Sequence, residues 1–351
     1  MKVAVLLSGG VDSSVALNLI KNAGDHDVTA FYLKIWLEDE LSFLGECPWE
    51  TDLEYAQAVC EQAGVPLKTV SLQTQYFERV VDHAIAELKA GRTPSPDILC
   101  NERIKFGEFF SQIDQSYEKV ASGHYARIDE AGGRYLLKRA PDPVKDQTYF
   151  LSNLNQAQLS RALFPIGPYQ KHEVRALAED FNLPTKGRKD SQGICFLGKI
   201  QYNDFVKSYL GEQPGDIIEM ETGKVWGQHN GFWFYTIGQR KGLKLHGGPW
   251  FVVGKDVEKN VIYISHKEVF TDRARTQFNV ANINWIAGVP EQTESLQVKI
   301  RHSPHLEPCR LDLLTDTRTT VTLTAPETGV APGQSAVFYD NEICLGGGVI
   351  E

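Results

Sequence analysis

The chain has 351 residues, 42% of them hydrophobic, and a net charge of −9. That length allows two or three domains with real cores, and the acidic balance argues against binding nucleic acid through bulk charge. No run approaches the roughly 20 apolar residues of a membrane span, the apolar start of MKVAVLLSGG is too short for a secretion signal, and six cysteines without a CxxC pair speak against a disulfide scaffold or a zinc site; the expected compartment is the cytoplasm.

The first element is a strand. Val3, Val5, Leu6 and Leu7 suit a short segment buried on both faces. It breaks into Ser8-Gly9-Gly10-Val11-Asp12-Ser13-Ser14, and Val15, Ala16, Leu19 and Ile20 then recur at helical spacing. A strand that turns through glycines directly into a helix is an anion site, because free N–H groups and the positive end of the helix dipole converge where the backbone can be approached closely. The loop lacks the lysine of GxxxxGK[ST] and the third glycine of GxGxxG. It resembles instead the SGGxDS loop of the PP-loop ATP pyrophosphatases, which implies cleavage of ATP between its α- and β-phosphates and places Asp12 at a Mg²⁺ on those phosphates.

Further along, the pattern predicts a strand over 28–35, a helix over 53–63, a strand over 67–72, a helix over 76–90 and a strand over 120–126 that ends in the polar Ser122-Gly123-His124. Helical spacing returns over 156–163 and 172–181. This alternation predicts a doubly wound, parallel α/β sheet, with ligands at the C-terminal ends of its strands. From about residue 209 glycines and aromatics thicken (Trp226, Phe232, Trp233, Tyr235, Trp250) and short strands follow one another. The expected organisation is an α/β domain over 1–208, a small β-rich domain over 209–275 and a C-terminal β-barrel over 276–351.

Two cysteines stand in chemically suggestive settings. Cys100 follows Ser95-Pro96-Asp97, an N-cap then N1 arrangement that starts a helix. Cys195 lies in a glycine-containing loop, Asp190 to Leu197, just after a basic run. A helix start or nearby cations can lower a thiol's pKa and make it reactive; equally, each can be a small buried hydrophobe, the expected state of Cys60, Cys309 and Cys344, while Cys47 has no clear role. Basic clusters at 186–189, 239–244 and 299–302 are candidates to meet phosphate, although each taken singly reads as a solvated loop.

The SGGVDSS loop, AGRTPSPDILCNERIKFG, ASGHYAR, KDQTYFL, DSQGICFLG, TIGQRKGL and PGQSAVFYDNEICLGGGVIE, in that order from end to end, resemble the bacterial and organellar tRNA-specific 2-thiouridylases. The resemblance implies ATP-dependent 2-thiolation of the wobble uridine, position 34, of the tRNAs for Lys, Glu and Gln. It implies ATP contacts from Leu6, Leu7, Ser8, Gly9, Gly10, Val11, Asp12 and Ser13, with Leu33 and Gly123 closing over the adenosine. Ser95, Pro96 and Asp97 would meet the extruded base, Asp97 being a candidate acid or base or else a helix-end carboxylate. His124, Lys145, Asp146, Gln147, Arg301, His302 and Gln334 would touch tRNA. Sulfur would arrive as a persulfide on Cys195 from a cysteine desulfurase or sulfur-relay protein, with Cys100 as the nucleophile that releases it and forms a transient disulfide with Cys195. Ser95 stands where the family commonly has asparagine, and His302 where it commonly has an aromatic such as tyrosine.

Other readings compete with this one. A ligase or amidotransferase acting on a small molecule would use the same ATP loop, and a noncatalytic tRNA-binding protein would keep the α/β domain as scaffold. In a mechanistic variant, Asp97, Cys100 and Cys195 ligate an iron–sulfur cluster that carries sulfur.

Overall fold

The structure, a computed structural model, describes residues 1–35, 49–189, 201–266 and 274–351. In chain order its first part runs β1 (Lys2–Leu6), α1 (Val11–Asn22), β2 (Asp27–Lys34), α2 (Trp49–Ala63), β3 (Leu67–Ser71), α3 (73–89), α4 (96–112), β4 (Lys119–Ala121), β5 (Ala126–Ala131), β6 (Arg134–Arg139), α5 (Gln156–Arg161), β7 (Ala162–Leu163) and α6 (Lys171–Asp180). Five strands form a sheet of order β3-β2-β1-β4-β7 in which every pair is parallel. Successive side chains of β1 point to opposite faces. Val3 and Val5 join Leu17 and Ile20 of α1 and Ala56 and Val59 of α2 in one core. Ala4 and Leu6 join Val80, Ile85, Ile98 and Phe109 of α3 and α4 in the other. A sheet covered on both faces needs strands apolar throughout, which is why this N-terminal strand has no polar alternation.

The sheet order reverses at β1, between β2 on one side and β4 on the other. In a doubly wound sheet that is where a crevice opens beyond the strand ends, and both the SGGVDSS loop after β1 and the SGHY segment after β4 lie there.

Two predicted elements divide. The strand expected over 120–126 ends at Ala121, and Ala126 begins β5, which leaves the parallel sheet and pairs antiparallel with β6. The helix expected over 156–163 stops at Arg161, because Ala162 and Leu163 pair with Val120 and Ala121 to make the sheet's edge strand. In both places tertiary pairing overrides local pattern.

After α7 (Tyr202–Leu210), strands β8 (Gly215–Glu219), β9 (Val225–His229), β10 (Trp250–Asp256) and β11 (Val261–His266) make a four-stranded sheet of order β10-β11-β8-β9. The last six strands, β12 (Arg275–Trp285), β13 (Leu296–Lys299), β14 (Glu307–Thr315), β15 (Arg318–Glu327), β16 (Ser335–Asp340) and β17 (Ile343–Ile350), close into an antiparallel barrel through a β12–β17 pairing. Phe278, Val298, Leu311, Val321 and Phe338 fill it. Closure removes free edges, with one exception that matters. β17 gives Gly346 to Ile350 to β12 but Ile343 and Cys344 to β6, so the β5–β6 hairpin of the first domain is stitched to the barrel. Among the described residues, no helix is long and apolar enough to cross a membrane.

Candidate functional site

The glycine loop is braced from within and from behind. Ser13 Oγ donates to Gly10 O (3.1 Å) and accepts from Ser8 N (3.2 Å), while Ser14 Oγ also donates to Gly10 O (2.8 Å). Gly9 has φ +72°, and a Cβ there would overlap the Asp52 carbonyl oxygen at the start of α2. Only glycine serves both demands. On the other side a Cβ on Gly123 would lie 2.7 Å from Ser13 N and 2.8 Å from Asp12 C, so the SGHY turn packs directly on the start of α1. Backbone this close, at the N-terminal end of a 12-residue helix, suits a polyphosphate.

Asp12 is held in that crevice by two groups from distant parts of the chain. Tyr125 OH donates to Asp12 Oδ1 at 2.9 Å, and Lys171 Nζ reaches the same oxygen at 2.7 Å from the first residue of α6. A half-exposed carboxylate beside the free N–H groups of a helix start fits a hard cation such as Mg²⁺. Arg188 closes the far side, donating to Gly9 O (2.7 Å) and Asp52 Oδ1 (2.6 Å) with its guanidinium over the Tyr55 ring. The 186–189 basic run therefore does more than face solvent. Lys171, Tyr125 and Asp52 were not singled out in the sequence, and nothing local distinguishes them there.

Cys100 sits one turn into α4, 1% exposed, where Cys100–Glu108 winds as a π-helix. Wider π turns recur at functional sites. Gly107 permits this one, since a Cβ there would stand 2.8 Å from Glu102 O. Gln158 supports the stretch by donating to Glu102 O (2.9 Å) and Phe106 O (3.0 Å). Pro96 occupies the first helical turn as expected, but Ser95 makes no side-chain capping bond.

Residues 145–151 tie these pieces together. Gln147 Oε1 accepts from Tyr125 N (2.9 Å), linking the segment to the Asp12 side. Asn101 Nδ2 donates to Phe150 O (3.0 Å), linking it to the Cys100 helix. His302 of the barrel stacks on Phe150 (centroids 4.5 Å apart, 34° between planes), and Tyr149 OH donates to Ser335 O (3.0 Å). Burial lowers the pKa of His302, and the hydrogen bond of its ring nitrogen to the Asp146 carbonyl oxygen, 3.3 Å away, partly offsets this. The chain just before Asp97 meets the other two domains: Thr93 N donates to Pro332 O (2.9 Å), Thr93 and Thr236 hydroxyls lie 3.3 Å apart, and Lys255 Nζ donates to Gly91 O (3.0 Å).

The remaining expected tRNA contacts divide by exposure. Lys145, Gln147 and Gln334 are half-buried and Arg301 is exposed, bonded to Glu327 (3.3 Å). His124 and Asp146 are buried. His124 Nδ1 lies 2.7 Å from Ser122 Oγ among Phe106 and Phe164, and burial, with Lys105 nearby, holds its pKa well below the usual histidine value. Asp146 is paired with Lys299 at 2.9 Å, both wholly buried, so the 299–302 run is not a solvated loop at its first residue. Leu33, near the end of β2, is half-buried.

Cys60, Cys309 and Cys344 are buried free thiols, pushed up to about 11, 12 and 12 by burial, and so remain protonated at neutral pH. Cys195 and Cys47 lie outside the described residues. Among the described residues no three His, Cys, Asp or Glu are grouped to hold a metal ion; the cluster variant requires Cys195, which is not among them.

Comparison with known proteins bears on the whole length. Residues 1–199 match the family model described as tRNA methyl transferase HUP domain, 203–266 the tRNA methyl transferase PRC-barrel domain and 275–350 the aminomethyltransferase beta-barrel domain. The chain is 45% identical to the tRNA-specific 2-thiouridylase MnmA of Parabacteroides distasonis, over all of this chain and 99% of that protein. It is 45% identical to MnmA 2 of Bacteroides fragilis, over all of both, and 44% identical to MnmA of Porphyromonas gingivalis, over all of this chain and 99% of that one.

Proposed function

The chain belongs to the tRNA-specific 2-thiouridylase family, and we propose that it uses ATP to 2-thiolate the wobble uridine of the tRNAs for Lys, Glu and Gln. The carrying observation is the junction at 91–97 and 145–151, where the nucleotide loop, the Cys100 helix and the barrel are joined by Gln147, Asn101 and His302. A macromolecular substrate spanning domains gives such a junction a purpose that a small acceptor does not.

The chemistry follows from the leaving group. The C2 oxygen of uridine departs poorly, so its transfer to the α-phosphate of ATP, with release of pyrophosphate, turns it into AMP. Residues 6–13 carry the phosphates, with Leu33 and Gly123 against the adenosine. Asp12 is the residue that would hold Mg²⁺, which bound there neutralises phosphate charge. The persulfide on Cys195, loaded by a cysteine desulfurase or sulfur-relay protein, provides sulfur to C2 as AMP leaves. Cys100 supplies the thiolate that attacks the Cys195 sulfur, leaving a Cys100–Cys195 disulfide that a cellular thiol reduces. Ser95, Pro96 and Asp97 receive the flipped base, Asp97 moving a proton at the uracil edge.

We assign tRNA contacts to Lys145, Gln147, Arg301, His302 and Gln334, with His124 and Asp146 shaping the wall behind them. Residues 1–208 are taken as the catalytic domain, 209–275 and 276–351 as tRNA-contacting domains, and the cytoplasm as the compartment. Mass analysis of tRNA nucleosides tests this: wild type with ATP, Mg²⁺ and a persulfide donor makes 2-thiouridine, and Cys100→Ala and Cys195→Ala do not. Undiminished 2-thiouridine in either variant sinks the two-cysteine scheme.

A further inference from the structure

We infer that Lys171 is a phosphate ligand of the nucleotide site, its ammonium passing from Asp12 to the phosphates when a nucleotide binds. The inference rests on the ATP reading above and deepens it.

SGGVDSS has no cation of its own. Its donors are backbone N–H groups and neutral hydroxyls, and its one charge, on Asp12, has the same sign as a polyphosphate. In the GxxxxGK[ST] loop a built-in lysine answers the charge of the β- and γ-phosphates. Here the compensating charge has to come from elsewhere in the fold. Among the described residues, Lys171 and Arg188 bring cations to the loop.

Arg188 is committed to holding structure: one nitrogen bonds Gly9 O, the other Asp52, and the guanidinium lies 4.4 Å from the Tyr55 ring centroid. Lys171 is placed differently. Its backbone is anchored as the first residue of α6, with its N–H on Asp142 (3.1 Å), while the ammonium ends on Asp12 Oδ1 with 15% of the side chain exposed. An ammonium is a point charge on a four-carbon stem with rotatable donors, so it can change partners without moving the helix. Polyphosphate entering beside Asp12 offers it more negative charge than one carboxylate does. Transfer of the ammonium to phosphate also releases Asp12 for a divalent cation.

Direct binding measurements on the full chain without tRNA test this, using ATP, inorganic pyrophosphate and AMP as probes. Lys171→Met is expected to weaken ATP and pyrophosphate by about ten- to a hundred-fold, the size of a lost charged hydrogen bond, and AMP by less. Lys171→Arg keeps the charge and is expected to keep most of the affinity. Without Mg²⁺, Asp12→Asn is expected to tighten pyrophosphate binding more when Lys171 is present than when it is methionine, because only then is an ammonium set free. Pyrophosphate affinity of Lys171→Met within about twofold of wild type, or an equal loss in Lys171→Arg and Lys171→Met, or an equal Asp12→Asn gain in both backgrounds, overturns the inference. A wild-type protein that binds neither ATP nor pyrophosphate overturns the nucleotide reading itself.

Discussion

Replacing Lys299 by methionine removes one half of a wholly buried ion pair while keeping the stem's volume. At the 2.9 Å separation of Lys299 Nζ and Asp146 Oδ2, an effective dielectric of about 20 gives a gross attraction of about 6 kcal/mol. Part of that offsets desolvation, and removing one partner of a buried pair costs about 3–5 kcal/mol. Asp146 is not abandoned in the variant: Arg139 Nε stays 3.2 Å away, and Thr148 donates to Oδ1 from its hydroxyl (2.8 Å) and its N–H (3.3 Å). The low end, about 3 kcal/mol, is therefore expected. At about 2–4 °C per kcal/mol this lowers the melting temperature by about 6–12 °C. Scanning calorimetry reads the shift, and with three sheets it also reports whether one transition or several move. The double variant Lys299→Met with Asp146→Asn should be less destabilised than the sum of the singles, because neither leaves a buried charge alone. A Lys299→Met shift below about 2 °C, or strict additivity, refutes the view that this pair fastens the barrel to the KDQTYF segment.

Gly123→Ala drives a Cβ into Ser13 N and Asp12 C; displacement of the α1 start is expected to cut kcat/KM for ATP by at least about tenfold, since catalysis tolerates little misplacement, and unchanged ATP kinetics count against the site. His124 is held neutral by burial, so the unfolded chain binds the extra proton below its ordinary pKa of about 6.5, and stability falls as pH drops through that value. Melting curves at pH 7.5 and 5.5 should accordingly differ less in His124→Gln than in wild type, and an equal difference contradicts the assignment. Burial keeps Cys60, Cys309 and Cys344 protonated. Native labelling by a maleimide at neutral pH should leave these three unmodified for as long as a peptide thiol takes to react completely, and modification of any of them refutes their buried, inert state.

Much of the first domain was legible because its signals are local. A strand that must be apolar on both faces, a glycine turn and a helix of 3.6-residue period sit side by side at residues 2–22, and each follows from neighbouring residues. The cysteines that burial would silence could be named for the same reason. Where the sequence misled, a partner far along the chain decided the outcome. Ala162 and Leu163 carry on a helical pattern, yet the exposed edge of β4 takes them as a strand. Ser95 looks like a cap, yet its side chain makes no capping bond in the folded chain.

Composition, period and turn pattern by themselves determined an α/β domain with an anion-binding glycine loop, β-rich domains after it, and two cysteines worth testing. Tertiary structure alone decided how the pieces meet: Lys171 reaching Asp12 across 159 residues, Lys299 buried on Asp146 across 153, and the β5–β6 hairpin crossing into the barrel. The physical reason is the range of the forces concerned. Periodicity and turn chemistry act over a few residues, whereas a charge's partner and a strand's last neighbour are set by which distant segments the folded core brings within a few ångströms.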